Sequence, residues 1–125
     1  MITLDEFIEQ GRMEWGSRNA FVREPGFHSL YVRHSHRVGK PNATKLTPFI
    51  DIASVTVTHS GQGTFKALVT KLHSAGHNIY VESVLSPLFG QGLLRMGFSQ
   101  CRDVYPPSYF LLTTDDLHIN TRPGQ

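Results

Sequence analysis

The chain has 125 residues, with 12 Lys and Arg against 10 Asp and Glu, a formal net charge of +2. That length predicts one domain able to bury a core without staples. The near balance of charge excludes a nucleic-acid binder recognisable by electrostatics alone. A hydrophobic fraction of 39% argues against disorder as the main state. No run approaches the ~18 apolar residues of a membrane span, and Met1–Glu6 carries neither the basic nor the apolar region of a secretory signal. Cys101 is the single cysteine. An internal disulfide framework is therefore excluded, and a reducing, cytoplasmic setting is expected.

In chain order, Thr3 and Glu6 read as a capping box, and Leu4, Phe7, Ile8, Gly11 and Trp15 recur at helical spacing. A helix over 3–15 follows. Residues 17–26, with Arg18, Asn19, Arg23, Glu24, Pro25 and Gly26, read as a loop. Alternation around Leu30 and Val32 predicts a strand over 27–34, and Gly39–Asn42 is turn chemistry. From 46 to 58 the chain is rich in β-branched residues, with apolar side chains at both parities, which predicts a central strand covered on both faces.

A glycine-rich turn, His59–Thr64, leads into Phe65, Leu68, Val69 and Leu72 at helical spacing, and Gly76 closes that helix. A buried strand is expected over 78–85. Ser86 and Pro87 then start a helix through Leu88, Phe89, Leu93, Leu94 and Met96 that stops at Gly97. Two short strands, 98–104 and 109–114, flank Pro106–Ser108, and residues 116–125 read as an exposed tail. The order α β β α β α β β places a strand–helix–strand unit, and so a parallel pair, at the centre of an α/β fold with a mixed sheet.

The transition over 55–68 carries the chemistry. A helix N-terminus offers free N–H groups and the positive end of the helix dipole, and Gly61 and Gly63 let backbone approach an anion closely. The spacing matches neither a Walker loop nor a dinucleotide fingerprint, whose third glycine is replaced by Lys66. A plain tight turn is the alternative.

The segment Val55–Leu68 resembles the acetyl-CoA-binding segment of the GNAT N-acetyltransferases: a strand, then R/Q-x-x-G-x-G/A, then a helix. Ile79–Phe98, ending in Gly97-Phe98, resembles the family's next strand and helix. The resemblance covers residues 45–114. It implies a single GNAT-like domain, and a type akin to the compact members of phages and bacteria. It implies that Ser60, Gly61, Gln62, Gly63, Thr64 and Phe65 cradle the CoA pyrophosphate. It also implies that Ala53, Val55 and Val57 offer backbone groups to the thioester and pantetheine arm, on a strand that splays from its neighbour. Ser86 stands where the family often has an asparagine that contacts pantetheine. Three positions depart from the pattern: Ser60 replaces Arg or Gln, Phe65 replaces a small residue, and Leu93 replaces the tyrosine that protonates the thiolate. Tyr80, Tyr105 and Tyr109 are candidate substitutes. Phe49 occupies the position of the family's early glutamate. Asp51, two residues on and on the same face, is the first candidate base, and Glu82 is the second. For both, the alternative is a structural carboxylate paired with an arginine.

Seven histidines include His34-x-His36 on a predicted strand, but no cluster completes a metal site at a recognisable spacing. His59 abuts the glycine turn. Cys101 reads as a small buried hydrophobe. Arg12, Arg18, Arg23, Arg33, Arg37 and Lys40 make the first third basic, either as a solvated surface or as the place where an acceptor or the CoA phosphate is met. The expected function is acetyl transfer from acetyl-CoA, without a metal, to an amine: a protein lysine, a protein N-terminus or a small amine. The competing expectations are a non-catalytic module of the same fold that binds a partner protein, and a phosphate-ligand-binding protein unrelated to CoA. A C-terminal edge strand offers a surface for a homodimer.

Overall fold

The computed structural model of the chain describes residues 1–13, 18–37, 46–101 and 104–113. Helix α1 (Leu4–Met13) starts on the expected capping box. Thr3 Oγ1 accepts from the Glu6 amide at 3.1 Å, and Glu6 Oε1 accepts from the Thr3 amide at 3.3 Å. Helix α2 (Thr64–Ser74) and helix α3 (Pro87–Arg95) end alike. Gly76 (φ 91°) and Gly97 (φ 99°) take the left-handed conformation just past the two helices. The amides of His77 and Phe98 return to the carbonyls of Leu72 and Leu93, each at 3.0 Å. Both ends are Schellman caps, which need a residue free of a Cβ at that φ.

Six strands form one mixed sheet: β1 (Arg18–Phe21), β2 (Phe27–Arg37), β3 (Thr47–Val57), β4 (Asn78–Val81), β5 (Ser99–Gln100) and β6 (Tyr109–Leu111), in the order β1-β2-β3-β4-β6-β5. Among the described residues only β3 and β4 form a parallel strand pair, joined through α2 as expected. Residues 18–21 are a strand rather than part of a loop. Their polar, short sequence hides this, because Arg18–Phe21 are held by pairing with Tyr31–His34 and not by their own propensity. The strand expected over 78–85 stops at Val81: Ser83 takes φ 52° and its amide bonds Ser108 Oγ at 3.1 Å, which turns the chain away from the sheet. The last two strands are shorter than expected, and β6 lies inside the sheet, so the C-terminal edge strand is the two-residue β5. Trp15, the turn at Gly39–Asn42 and the tail from 116 lie outside the described residues. Among the described residues, no helix is long and apolar enough to cross a membrane.

Alternation along the strands divides the interior. Leu4, Phe7 and Ile8 of α1, Leu68, Val69 and Leu72 of α2 and Leu93 of α3 pack with Leu30, Val32, Ile50, Ile52, Ile79 and Val81 in one core. The opposite parity carries a smaller cluster of Phe49, Tyr80 and Leu112, with Phe110 and Cys101 against it. The helices therefore lie on one face of the sheet, and the other face holds polar side chains. His34 belongs to the helix face: its ring stacks on Phe7 at 4.4 Å, and Gly11 leaves room for it where a Cβ would collide.

Candidate functional site

Strand β3 has two different halves. Phe49–Ile52 pairs with Asn78–Val81 of β4, and the Glu82 amide adds one last bond to the Ile52 carbonyl at 3.1 Å. Beyond Ile52 the two strands part, while β3 stays paired with β2 as far as Val57. Among the described residues, the β4-side edge of 53–57 has no strand partner. Backbone groups on that edge need water or a ligand to satisfy them.

At the same point the register slips. Val32 pairs with Ile52 but Tyr31 pairs with Ser54, so Ala53 is an extra residue, a β-bulge. The bulge shifts the alternation. Ile50 and Ile52 face the helices, and after it Val55 does so as well. Without it, Ser54 and Thr56 would face the helices instead.

Val55 and Val57 thereby line a cavity of about 310 Å³ with the loop Ser60–Gly63, with Thr64, Phe65 and Lys66 of α2, and with Phe89 of α3. The expected cofactor residues Val55, Val57, Ser60, Gly61, Gln62, Gly63, Thr64 and Phe65 are thus brought together. Ala53 sits at the bulge, outside the lining. Ser86, also outside it, uses its hydroxyl to cap α3, accepting from the Phe89 amide at 3.3 Å.

Two features give the cavity an anion-binding character. The first is the start of α2: Gly63 is its N-cap, no side chain caps it, and its first turn holds no acid. The first intrahelical bond is made by the Ala67 amide to Gly63, so the amides of Thr64, Phe65 and Lys66 lie outside the intrahelical ladder. By contrast, α1 carries Asp5 and Glu6 in its first turn, and α3 has Ser86. The second feature is the lining itself, whose ionisable side chains are Lys66 and His59. Gly61 (φ 78°) and Gly63 (φ 71°) both need the left-handed conformation, and a Cβ on either would meet nothing within 4 Å, so the loop backbone is open to an approaching group. Phe65, where a small residue was expected, stands edge-on to Phe89 at 5.1 Å and ties α2 to α3.

The two candidate carboxylates lie on the opposite face. Asp51 is 1% exposed, and both its oxygens are occupied. Oδ1 accepts from Ser35 Oγ at 2.6 Å, and Oδ2 accepts from Arg37 Nη2 at 2.6 Å. The Arg37 guanidinium also lies 3.8 Å from the centre of the Tyr80 ring. Burial works to lower the Arg37 pKa, but the hydrogen bond and charge of Asp51 outweigh it and hold the group above its ordinary value. Burial raises the Tyr80 phenol above its usual range. A hydrogen bond with Cys101 adds to this, against the opposite pull of Ser108 and Arg37. Glu82 follows the last paired residue of β4 and is 20% exposed, with Arg33 Nη2 at 2.5 Å from Oε2. It stands where β3 and β4 separate.

Phe89 was missed in the sequence; its one signal was an aromatic in the first turn of α3 matching Phe65 in α2. Arg33 and Arg37 were singled out there only as members of a basic first third, and their pairing could not be assigned because their partners are 49 and 14 residues away. Tyr109, one of the substitute tyrosines, lies under α3 with its hydroxyl against Gly90, Tyr80 is buried on the polar face, and Tyr105 is exposed. Among the described residues, no group of three His, Cys, Asp or Glu side chains is placed to hold a metal ion. No protein-family model matches the chain, and no curated protein matches it.

Proposed function

We propose that the chain is a GNAT-like, acyl-CoA-dependent N-acyltransferase that moves an acetyl group to an amine by direct attack. One observation carries the reading. A parallel strand pair parts at a bulge, and the strand beyond it, a glycine loop and an uncapped helix N-terminus close around one cavity. The cavity is open at both glycines, has free amides at one end and no acid in its lining, which suits the diphosphate of acetyl-CoA. Val55 and Val57 and the unpaired edge of β3 suit its pantetheine arm.

Bound acetyl-CoA supplies the activated acyl carbon. The residues do the rest. The free β3 amides next to the bulge are donors for the carbonyl oxygen as negative charge develops on it. Glu82, at the split and partly open to water, takes one proton from the acceptor ammonium. The acceptor nitrogen then forms the new C–N bond as the C–S bond breaks, and its second proton passes to the departing sulfur. Asp51 holds Arg37 and Ser35 in place beneath this site rather than meeting the acceptor itself.

Calorimetric titration with acetyl-CoA tests the site. The expected result is binding by the native chain and none by Gly63→Trp, whose indole fills the approach to the loop. Release of CoA over an amine panel tests the chemistry. Equal acetyl-CoA affinity in both proteins refutes the proposed cavity. Binding without release with any amine favours the second reading, a non-catalytic module of the same fold that binds a partner. The full engagement of Asp51 is the observation on that side.

A further inference from the structure

Arg33 makes an unusual connection. It belongs to β2, yet its partner Glu82 follows β4, and β3 lies between them. The ion pair therefore spans the polar face over β3, at the level where β3 and β4 part. An acceptor entering the split from this face meets that pair first.

The pair is also incomplete. Glu82 engages Arg33 only at Nη2, and Arg33 Nε, shielded from solvent, has no hydrogen-bond partner among the described residues. A guanidinium offers Nε and Nη2 as a fork that a carboxylate can grip with both oxygens. Beside it the face is aromatic. The Arg33 guanidinium lies 6.0 Å from the centre of the Tyr31 ring, and Tyr31 packs on Phe21 at 4.7 Å. Phe21 is a large apolar side chain left 54% exposed.

A plain ammonium at Glu82 competes with Arg33 for the one carboxylate and weakens its hold on the guanidinium. An acceptor that carries its own carboxylate next to the amine removes that penalty. Its ammonium takes Glu82, and its carboxylate takes the Nε–Nη2 fork once the part-exposed Arg33 side chain turns that edge outward. One ion pair is exchanged for two. Building on the acyltransferase reading, we infer that the acceptor is a free α-amino acid with an aromatic side chain: the amine lies at Glu82, the carboxylate on Arg33, and the ring against Phe21 and Tyr31. Arg33 is then a specificity residue that acts on substrate binding rather than on the chemical step.

Two measurements on the full chain decide this. Calorimetry without CoA compares L-phenylalanine, phenethylamine (no carboxylate) and phenylpropionate (no amine). L-phenylalanine is expected to bind at least about tenfold more tightly than either, as one charge-assisted fork contributes that much, and Arg33→Gln is expected to remove the difference. The steady-state assay then compares L-phenylalanine with phenethylamine as acceptors. Arg33→Gln is expected to raise KM for L-phenylalanine about tenfold and so to erase its KM advantage over phenethylamine. Phe21→Ala, at an exposed edge position, is expected to erase the preference for L-phenylalanine over L-alanine. Equal affinities for L-phenylalanine and phenethylamine, or a preference that survives Arg33→Gln, overturn the inference while leaving acetyl transfer standing. Arg33-dependent binding of L-phenylalanine without acetyl transfer to any amine supports the site and refutes the enzyme.

Discussion

Replacing Asp51 by Asn tests whether this carboxylate is a structural anchor. The side chain is 1% exposed, and its oxygens accept from Ser35 Oγ and Arg37 Nη2 at 2.6 Å each. The amide keeps the shape and one acceptor. It either turns its NH₂ toward Arg37, setting donor against donor, or turns it toward Ser35, whose hydroxyl must then accept instead of donate. It also leaves the guanidinium without its counter-charge. Losing a charge-assisted hydrogen bond costs about 1.5–3 kcal/mol, and breaking a fully buried pair from one side costs about 3–5 kcal/mol. Arg37 is 33% exposed and can turn part of its guanidinium to water. The expected loss is therefore about 2–3 kcal/mol. For a chain of 125 residues, 1 kcal/mol moves Tm by ~4 °C, so the fall is expected to be about 8–12 °C. Thermal unfolding of the native chain, Asp51→Asn, Arg37→Gln and the double variant completes a cycle that isolates the coupling of the pair. A fall below about 3 °C in Asp51→Asn, or additive single losses, refutes the anchoring role and returns Asp51 to the list of bases.

Two further outcomes follow from the packing and the polar face. Gly90→Ala puts a methyl group onto the Tyr109 hydroxyl, so despite the better helix propensity of alanine it is expected to destabilise by about 1–3 kcal/mol. Adding Tyr109→Phe should recover most of that loss, and a stabilised single variant in urea unfolding contradicts the contact. Among the four tyrosines, Tyr80 is expected to ionise above the ordinary phenol range, chiefly because it is buried. The neutral phenol is the form that the fold favours. Its contribution is therefore present below the unfolded pKa of ~10 and is lost as pH rises through the folded value. Phenolate absorbance should show a late step that Tyr80→Phe removes, and an unchanged titration curve rejects the assignment.

The parts of this protein that its sequence determines are those whose causes lie within a few residues of each other. Thr3 and Glu6 cap α1, Ser86 and Pro87 open α3, and Gly76 and Gly97 close α2 and α3, because each cap joins backbone groups to a side chain or a glycine one turn away. The β-branched run makes β3, and the glycine turn before Phe65 gives the uncapped start of α2. Most of the cavity lining was legible for the same reason: eight of its eleven residues come from one continuous stretch, His59–Lys66, and only Phe89 and the strand residues before the turn had to be gathered. What tertiary structure alone decided depends on pairing between distant segments. Strand β1 exists because β2 holds it, against its own polar composition. The bulge at Ala53 appears only in the register of β3 against β2, yet it turns Val55 and Val57 rather than Ser54 and Thr56 toward the cavity. The end of β4 at Val81 sets where the split begins. For Asp51 and Glu82 the sequence left a base and an arginine-paired structural carboxylate as alternatives, because a carboxylate's role is set by what faces it across the sheet. Arg37 closes over one, and Arg33 bridges β3 to leave the other at the mouth of the split.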